Sequence, residues 1–245
     1  MRIAIEQQIV HRPGRGPGQS VRMVRLTPEN YDDQTVVHWR IDVDCDARMR
    51  RGQDGFGNAV TMLYVDAAID TITITASGEV LTSDAHGLVR GATETLPPAL
   101  FLRATALTPA EPAIVDWAAG IAASAAAGPL AVLHGINAAL HRAEDSAVAL
   151  LPDPAHVFCV AARSLGIPAR YVSGYVARDE TWRGQPHGWA EAHVEGLGWI
   201  GFDPATGLSP QDGHVRVAIA LDAAGTASIA GPAPMCEKTE AGEGQ

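Results

Sequence analysis

Apolar and polar positions alternate with period two along residues 36–45. Val37, Trp39, Ile41, Val43 and Cys45 fall on one face, and His38, Arg40, Asp42 and Asp44 on the other. That is the pattern of a half-buried strand. Residues 71–76 repeat it, Ile72, Ile74 and Ala76 against Thr71, Thr73 and Thr75, with the β-branched residues that suit a pleated surface. Shorter runs at 2–10, 20–27 and 58–66 are further strand candidates. Between them lie the turn-formers Pro13-Gly14-Arg15-Gly16-Pro17-Gly18 and Asp54-Gly55-Phe56-Gly57-Asn58. Residues 1–97 thus predict an N-terminal antiparallel β domain, with Cys45 as a core thiol on the apolar face.

Near Leu96-Pro97-Pro98 the pattern changes to that of helices. Thr108-Pro109-Ala110-Glu111 has the spacing of an N-cap, a first-turn proline and a capping-box glutamate. It predicts a helix through Trp117 and an alanine-rich stretch to Gly128. A second helix starts at Pro129, with Leu130, Leu133, Asn137 and Leu140 near one face. The third is the best defined: Asp153 as N-cap, Pro154 in the first turn, an apolar stripe of Val157, Phe158, Ala161, Ala162 and Leu165, and Gly166 as the stop. Strands follow at 170–177, 187–194 and 199–203, the last two joined by the short hairpin loop Glu195-Gly196-Leu197-Gly198. From 223 to 245 the chain is rich in Ala, Gly, Thr and Glu and reads as a disordered tail.

Composition narrows the class. With 47% hydrophobic and 19% charged residues the chain reads as an ordinary globular protein. No apolar run approaches the ~20 residues of a membrane span, and no secretory h-region stands at the N-terminus, so a cytoplasmic protein is expected. A net charge of −10 argues against nucleic acid or an anionic membrane as partner. The one basic cluster, residues 48–51, reads as a solvated loop. Three cysteines, Cys45, Cys159 and Cys236, without CxxC spacing, speak against a disulfide framework and a structural zinc site.

A capped helix, a strand with a histidine and a next strand ending in aspartate form the order Cys-His-Asp acyl-transfer enzymes use. A thiolate gains from the positive end of a helix. A histidine on a neighbouring strand moves its proton, and an aspartate one strand over fixes the imidazole tautomer. If the hairpin turns at 195–198, Asp203 falls roughly opposite Ala190, a short diagonal from His187.

The chain resembles the bacterial transglutaminase-like family of cysteine peptidases, amidases and acyl transferases. The resemblance rests on Ala155-His156, on Arg163-Ser164-Leu165-Gly166-Ile167-Pro168-Ala169-Arg170-Tyr171-Val172-Ser173-Gly174-Tyr175, and on His187-Gly188-Trp189-Ala190-Glu191-Ala192-His193. It continues through Gly196-Leu197-Gly198-Trp199-Ile200-Gly201-Phe202-Asp203-Pro204 and His214-Val215-Arg216-Val217-Ala218. It implies an α+β fold: the β domain, then a papain-like transglutaminase core over 98–222, with helices packed on an antiparallel sheet. It also implies His187 as general base and Asp203 as its orienting carboxylate.

The family pattern Cys-x-Asp-x-Ala-His reads here Leu151-Pro152-Asp153-Pro154-Ala155-His156, so the nucleophile position carries leucine. Cys159 lies about 12 Å further along if both positions are helical, too far to replace it. Trp189, Tyr175 and His156 are the candidate binding residues, although aromatic side chains here also suit a core. His187, Glu191 and His193 share a strand face at ligand-like spacing, but Trp189 lies between them; no metal or cofactor is expected. The reading is a degenerate member that keeps its groove for a peptide, a small amide or an active homologue. The alternative is an active amidase or peptidase that uses His187 and Asp203 to activate water, or a relocated nucleophile. A purely structural module would have no groove.

Overall fold

The computed structural model describes residues 1–12, 20–66, 70–125, 128–142, 152–177 and 183–231. Leu151 and the rest of 143–151, the glycine-rich run 13–19, Cys236 and the tail from 232 onward lie outside the described residues.

The N-terminal half is a sandwich of strands. β1 (Arg2–His11) pairs antiparallel with β6 (Ile72–Thr82), and β6 with β3 (Gln34–Val43). Opposite them, β2 (Ser20–Val24), β5 (Ala59–Val65) and β4 (Arg48–Gln53) form the second layer. Alternating inward residues, Val24, Leu63, Val65, Ile72, Ile74 and Ala76 among them, fill the space between. Cys45 is half-buried against this core. The basic run 48–51 is not a loop: it is part of β4, exposed on the edge of its sheet. Its arginines suit such an edge, because charge discourages pairing with a further strand. The strict alternation of β3 also breaks. A bulge between Val36 and His38 lifts Val37 out of register and leaves it 48% exposed, so Val36 joins Trp39 on the inner face.

The second half packs α1 (Pro112–Ser124), α2 (Pro129–Arg142) and α3 (Pro154–Ser164) on one face of a sheet made of β7 (Ala169–Val176), β8 (Arg183–Val194), β9 (Gly198–Phe202) and β10 (His214–Ala220). α3 is the central helix, buried from Ala155 to Arg163. Asp153 caps it by accepting from the Ala155 N–H at 2.9 Å, and Gly166, at φ 75°, ends it. Ile167 N–H then bonds back to Ala162 carbonyl, satisfying a group the helix end leaves open. The expected cap of α1 is displaced. The helix begins at Pro112, and Glu111 stands at its N-cap without a side-chain bond. Thr108 is buried instead in a turn with Thr105, and its hydroxyl accepts from Arg163 at 2.8 Å.

The two halves are continuous through one sheet of order β10-β7-β8-β1-β6-β3, with β9 also on β8. β1 joins β8 in parallel at Ala4↔Arg183 and Ile5↔Gly184. Two side-chain amides act as surrogate strands along β10. Asn58 Nδ2 donates to Ile219 carbonyl at 2.8 Å, and its Oδ1 accepts the Ile219 N–H at 2.7 Å. Gln34 does the same at Arg216, at 2.9 and 2.8 Å. Residues 223–231, expected in a loose tail, form a turn and the short strand β11 (Ile229–Ala230), which pairs with β2. The architecture is the expected α+β class.

Candidate functional site

β8 changes neighbours along its length. Its first residues pair with β1 and its residues from Ala190 onward with β9, while β7 runs along its other edge. His187 stands in the interval, where no described strand covers the second edge. Asp203 follows the last residue of β9 at that opening. The observed register pairs Ala190 with Phe202, which sets Asp203 level with Trp189 and not with Ala190. Side chains alternate along a strand, so this single-residue difference puts Asp203 on the same face as His187. The two meet: His187 Nε2 is 2.9 Å from Asp203 Oδ2.

A third group closes on the same oxygen. His214 Nε2, from the start of β10, lies 3.2 Å from Asp203 Oδ2. Trp189 packs against both imidazoles, its ring 6.1 Å from His187 and 5.4 Å from His214 between centroids, and the two imidazoles are themselves 5.9 Å apart. Burial alone would raise the Asp203 pKa. The hydrogen bonds from His187 and His214 outweigh it and hold the carboxyl well below the ordinary range, so Asp203 is an anion at neutral pH. Its Oδ1 accepts the Ala205 N–H at 3.0 Å.

The ligand atoms of His187, Asp203 and His214 lie within 4.8 Å of one another, close enough to consider a metal ion. His214 argues against it chemically. Its Nδ1 accepts the Gln211 backbone N–H at 3.1 Å, so the ring proton sits on Nε2 and that nitrogen has no lone pair for a metal. Glu191 and His193, the other residues with ligand-like spacing, are engaged elsewhere. Glu191 is buried between Arg170 at 2.7 Å and Arg216 at 2.8 Å. Burial would raise its pKa, but the two guanidinium charges lower it overall. His193 packs edge-on against Trp199.

A groove of about 270 Å³ borders His187, with Tyr171, Tyr175, Gly188 and Val217 on its near walls and Gln7 and Arg25 from the β domain across it. Tyr175 lines it as a buried residue whose hydroxyl donates to Gln7 at 2.7 Å. Trp189 is core, 2% exposed, packed with Phe101, Val172, Trp199 and Ile219. His156 does not line the groove: its Nε2 accepts the Ala223 N–H at 3.0 Å, and its ring packs on Tyr171. Tyr171 ties the groove to α3, because its hydroxyl donates to the capping Asp153 at 2.9 Å. Glycine is needed at 188, where a Cβ would run into the Tyr171 hydroxyl, and at 174, where it would run into the Val215 carbonyl and then meet Trp189 at 2.8 Å. Cys159 is fully buried in the helical core, and burial pushes its thiol up to about 11. Sequence reasoning gave no role to His214 or Gln211. The available signal was a lone histidine opening a strand eleven residues past the aspartate.

A helix capped beside a groove, a histidine on one strand and an aspartate on the next are the parts of a papain-like acyl-transfer core. Sequence comparison agrees. Residues 3–81 match the bacterial transglutaminase-like N-terminal region and residues 137–204 match the transglutaminase-like superfamily core. An uncharacterized protein of Mycobacterium leprae (strain TN) is 27% identical, covering 86% of each chain. A solved structure, a proposed cysteine protease from Cytophaga hutchinsonii, shares the fold at 19% identity and a TM-score of 0.71 over 94% of this chain and 85% of that one. The periplasmic domain of TgpA from Pseudomonas aeruginosa is a more distant likeness, at 15% identity and a TM-score of 0.36 over 82% of this chain and 96% of that one. Among the described residues no helix is long and apolar enough to cross a membrane.

Proposed function

We propose that this chain is a transglutaminase-like protein without thiol chemistry, which holds a peptide or small amide in the groove beside His187. The observation that carries the reading is the leucine at position 151, five residues before His156, in a chain that keeps the His187–Asp203 bond at 2.9 Å. The described cysteines do not offer a substitute. Cys159 is buried with its thiol proton held tightly, and Cys45 packs against the β sandwich with a raised pKa, from burial and then from Asp44 and Asp46. Leucine cannot attack a carbonyl, whereas the groove and its polar fittings are retained. The ligand is a segment of another protein, an active homologue included, or a free amide. The test is intact-mass spectrometry of the wild-type chain after incubation with an activated acyl ester. The expected result is no acyl adduct; an adduct that disappears in His187→Ala contradicts the reading.

The same His–Asp pair favours one second reading, an amidase in which His187 activates water. General-base catalysis contributes ~10²–10⁴-fold without a covalent step. It predicts slow amide turnover that His187→Ala abolishes; turnover that survives this change excludes it.

A further inference from the structure

His214 opens β10 with its side chain 10% exposed. A ring nitrogen that accepts a hydrogen bond carries no proton. The Gln211 N–H on Nδ1 therefore fixes the neutral ring with its proton on Nε2, pointing at Asp203 Oδ2. An ionised Asp203 can only accept, so His187 likewise offers an Nε2–H to that oxygen. This leaves His187 Nδ1. It has no hydrogen-bond partner among the described residues and is not one of their sealed, unpaired polar atoms, and the ring lines the groove.

We infer that His214 is a positioning residue. Its tautomer is locked by Gln211, and by sharing Asp203 Oδ2 it keeps His187 neutral with the Nδ1 lone pair open to the groove, so the groove selects ligands that donate a hydrogen bond there, such as an amide N–H. The physical reason is competition for one carboxylate oxygen. A carboxylate facing His187 alone would favour the imidazolium, which donates from both nitrogens and would welcome anions. A second N–H on the same oxygen draws charge from that interaction. Three other charged groups lie nearby. Arg216 is held by Glu191 and the Nε of Arg25 by Asp54, while Arg25 Nη1 and Asp33 Oδ1 are buried without a hydrogen-bond partner among the described residues; Asp33 lines the small cavity beside His214 with its own pKa raised by burial.

The test is side-chain ¹H–¹⁵N correlation spectroscopy of the full chain, in wild type, His214→Phe and His214→Gln. Phenylalanine keeps a ring against Trp189 while removing both nitrogens; glutamine restores an N–H that can donate to Asp203. Expected in wild type near neutral pH are His214 and His187 both protonated on Nε2 alone. In His214→Phe the His187 ring should gain an Nδ1–H signal at the same pH, and His214→Gln should remove most of it. Wild-type His214 protonated on Nδ1 overturns the inference, as does an unchanged His187 tautomer in a folded His214→Phe. If that variant does not fold, the wild-type spectrum decides alone. Loss of the Nε2–H signals on adding zinc also overturns it, since a bound metal needs those lone pairs.

The ligand class rests on the binding reading above and is tested separately. Acetamide should shift the His187 Nδ1 resonance and N,N-dimethylacetamide should not. An equal response to both contradicts donor selection. A response to neither, with the tautomers as expected, counts against groove binding and leaves the role of His214 standing.

Discussion

Arg170→Met measures what the charged interior of the core is worth. Arg170 is fully buried, and its Nε donates to Glu191 at 2.7 Å while its terminal nitrogens take both oxygens of Glu94 at 2.7 and 2.9 Å. Its guanidinium lies 3.8 Å from the centroid of the Trp199 ring. Methionine retains most of the apolar stem, so the change removes charge more than volume. Glu94 is 34% exposed and can turn to water, a loss of under about 1 kcal/mol. Glu191 is 1% exposed and keeps only Arg216. Leaving one member of a buried pair undercompensated costs about 3–5 kcal/mol; with Arg216 still present, the lower end of that range is expected. The pH dependence separates charge from packing. The folded pKa of Glu191 is depressed, so its contribution is present above the unfolded value of about 4.3 and is lost as pH falls through the folded one. Removing Arg170 raises the folded value, and the variant sheds its buried charge by taking a proton where wild type stays ionised. Urea unfolding followed by tryptophan fluorescence, near neutral pH and at about pH 4.5, should show the gap between the two proteins shrinking at the lower pH. A gap that is the same at both pH values refutes this and assigns the loss to the Trp199 contact.

Asp153→Ala removes the α3 cap and the acceptor of the Tyr171 hydroxyl, and should lower unfolding free energy by about 2 kcal/mol, measured by denaturant titration. Asn58→Ala strands the amide and carbonyl of Ile219, at about 2–4 kcal/mol, with hydrogen exchange at Ile219 accelerating more than at Val172 on neighbouring β7. Gly188→Ala should lower the melting temperature and break the Tyr171–Asp153 bond, seen as a downward shift in the Tyr171 titration, because burial and, after it, Asp153 hold that hydroxyl protonated.

Elements with complete local signals were legible from the residues alone. α3 had its cap, its proline, its stripe and its terminal glycine, and the hairpin between β8 and β9 had its two glycines. What escaped depends on partners distant in sequence. Residues 48–51 form a strand because β5 offers a ladder, which charge patterning does not encode. Thr108 matches a capping box yet is taken by Arg163, a residue 55 positions away. The bulge at Val37 and the single-residue shift of Asp203 against β8 are register effects, set by the pairing of whole strands and invisible to period-two alternation. The His187–Asp203 pair was readable because motif order implied adjacent strands. His214 was not, since only the fold brings the start of β10 to the same carboxylate oxygen.

The most direct test of the central claim is the alkylation rate of each cysteine, resolved by mass spectrometry, in wild type and in Leu151→Cys, each with and without His187→Ala. The account predicts that no wild-type cysteine reacts at a rate that depends on His187, with Cys159 inert in its core. It also predicts that the thiol introduced at position 151 becomes the fastest site and slows when His187 is removed. A wild-type cysteine that reacts fast and loses that advantage in His187→Ala would contradict the account and identify the nucleophile it says is missing.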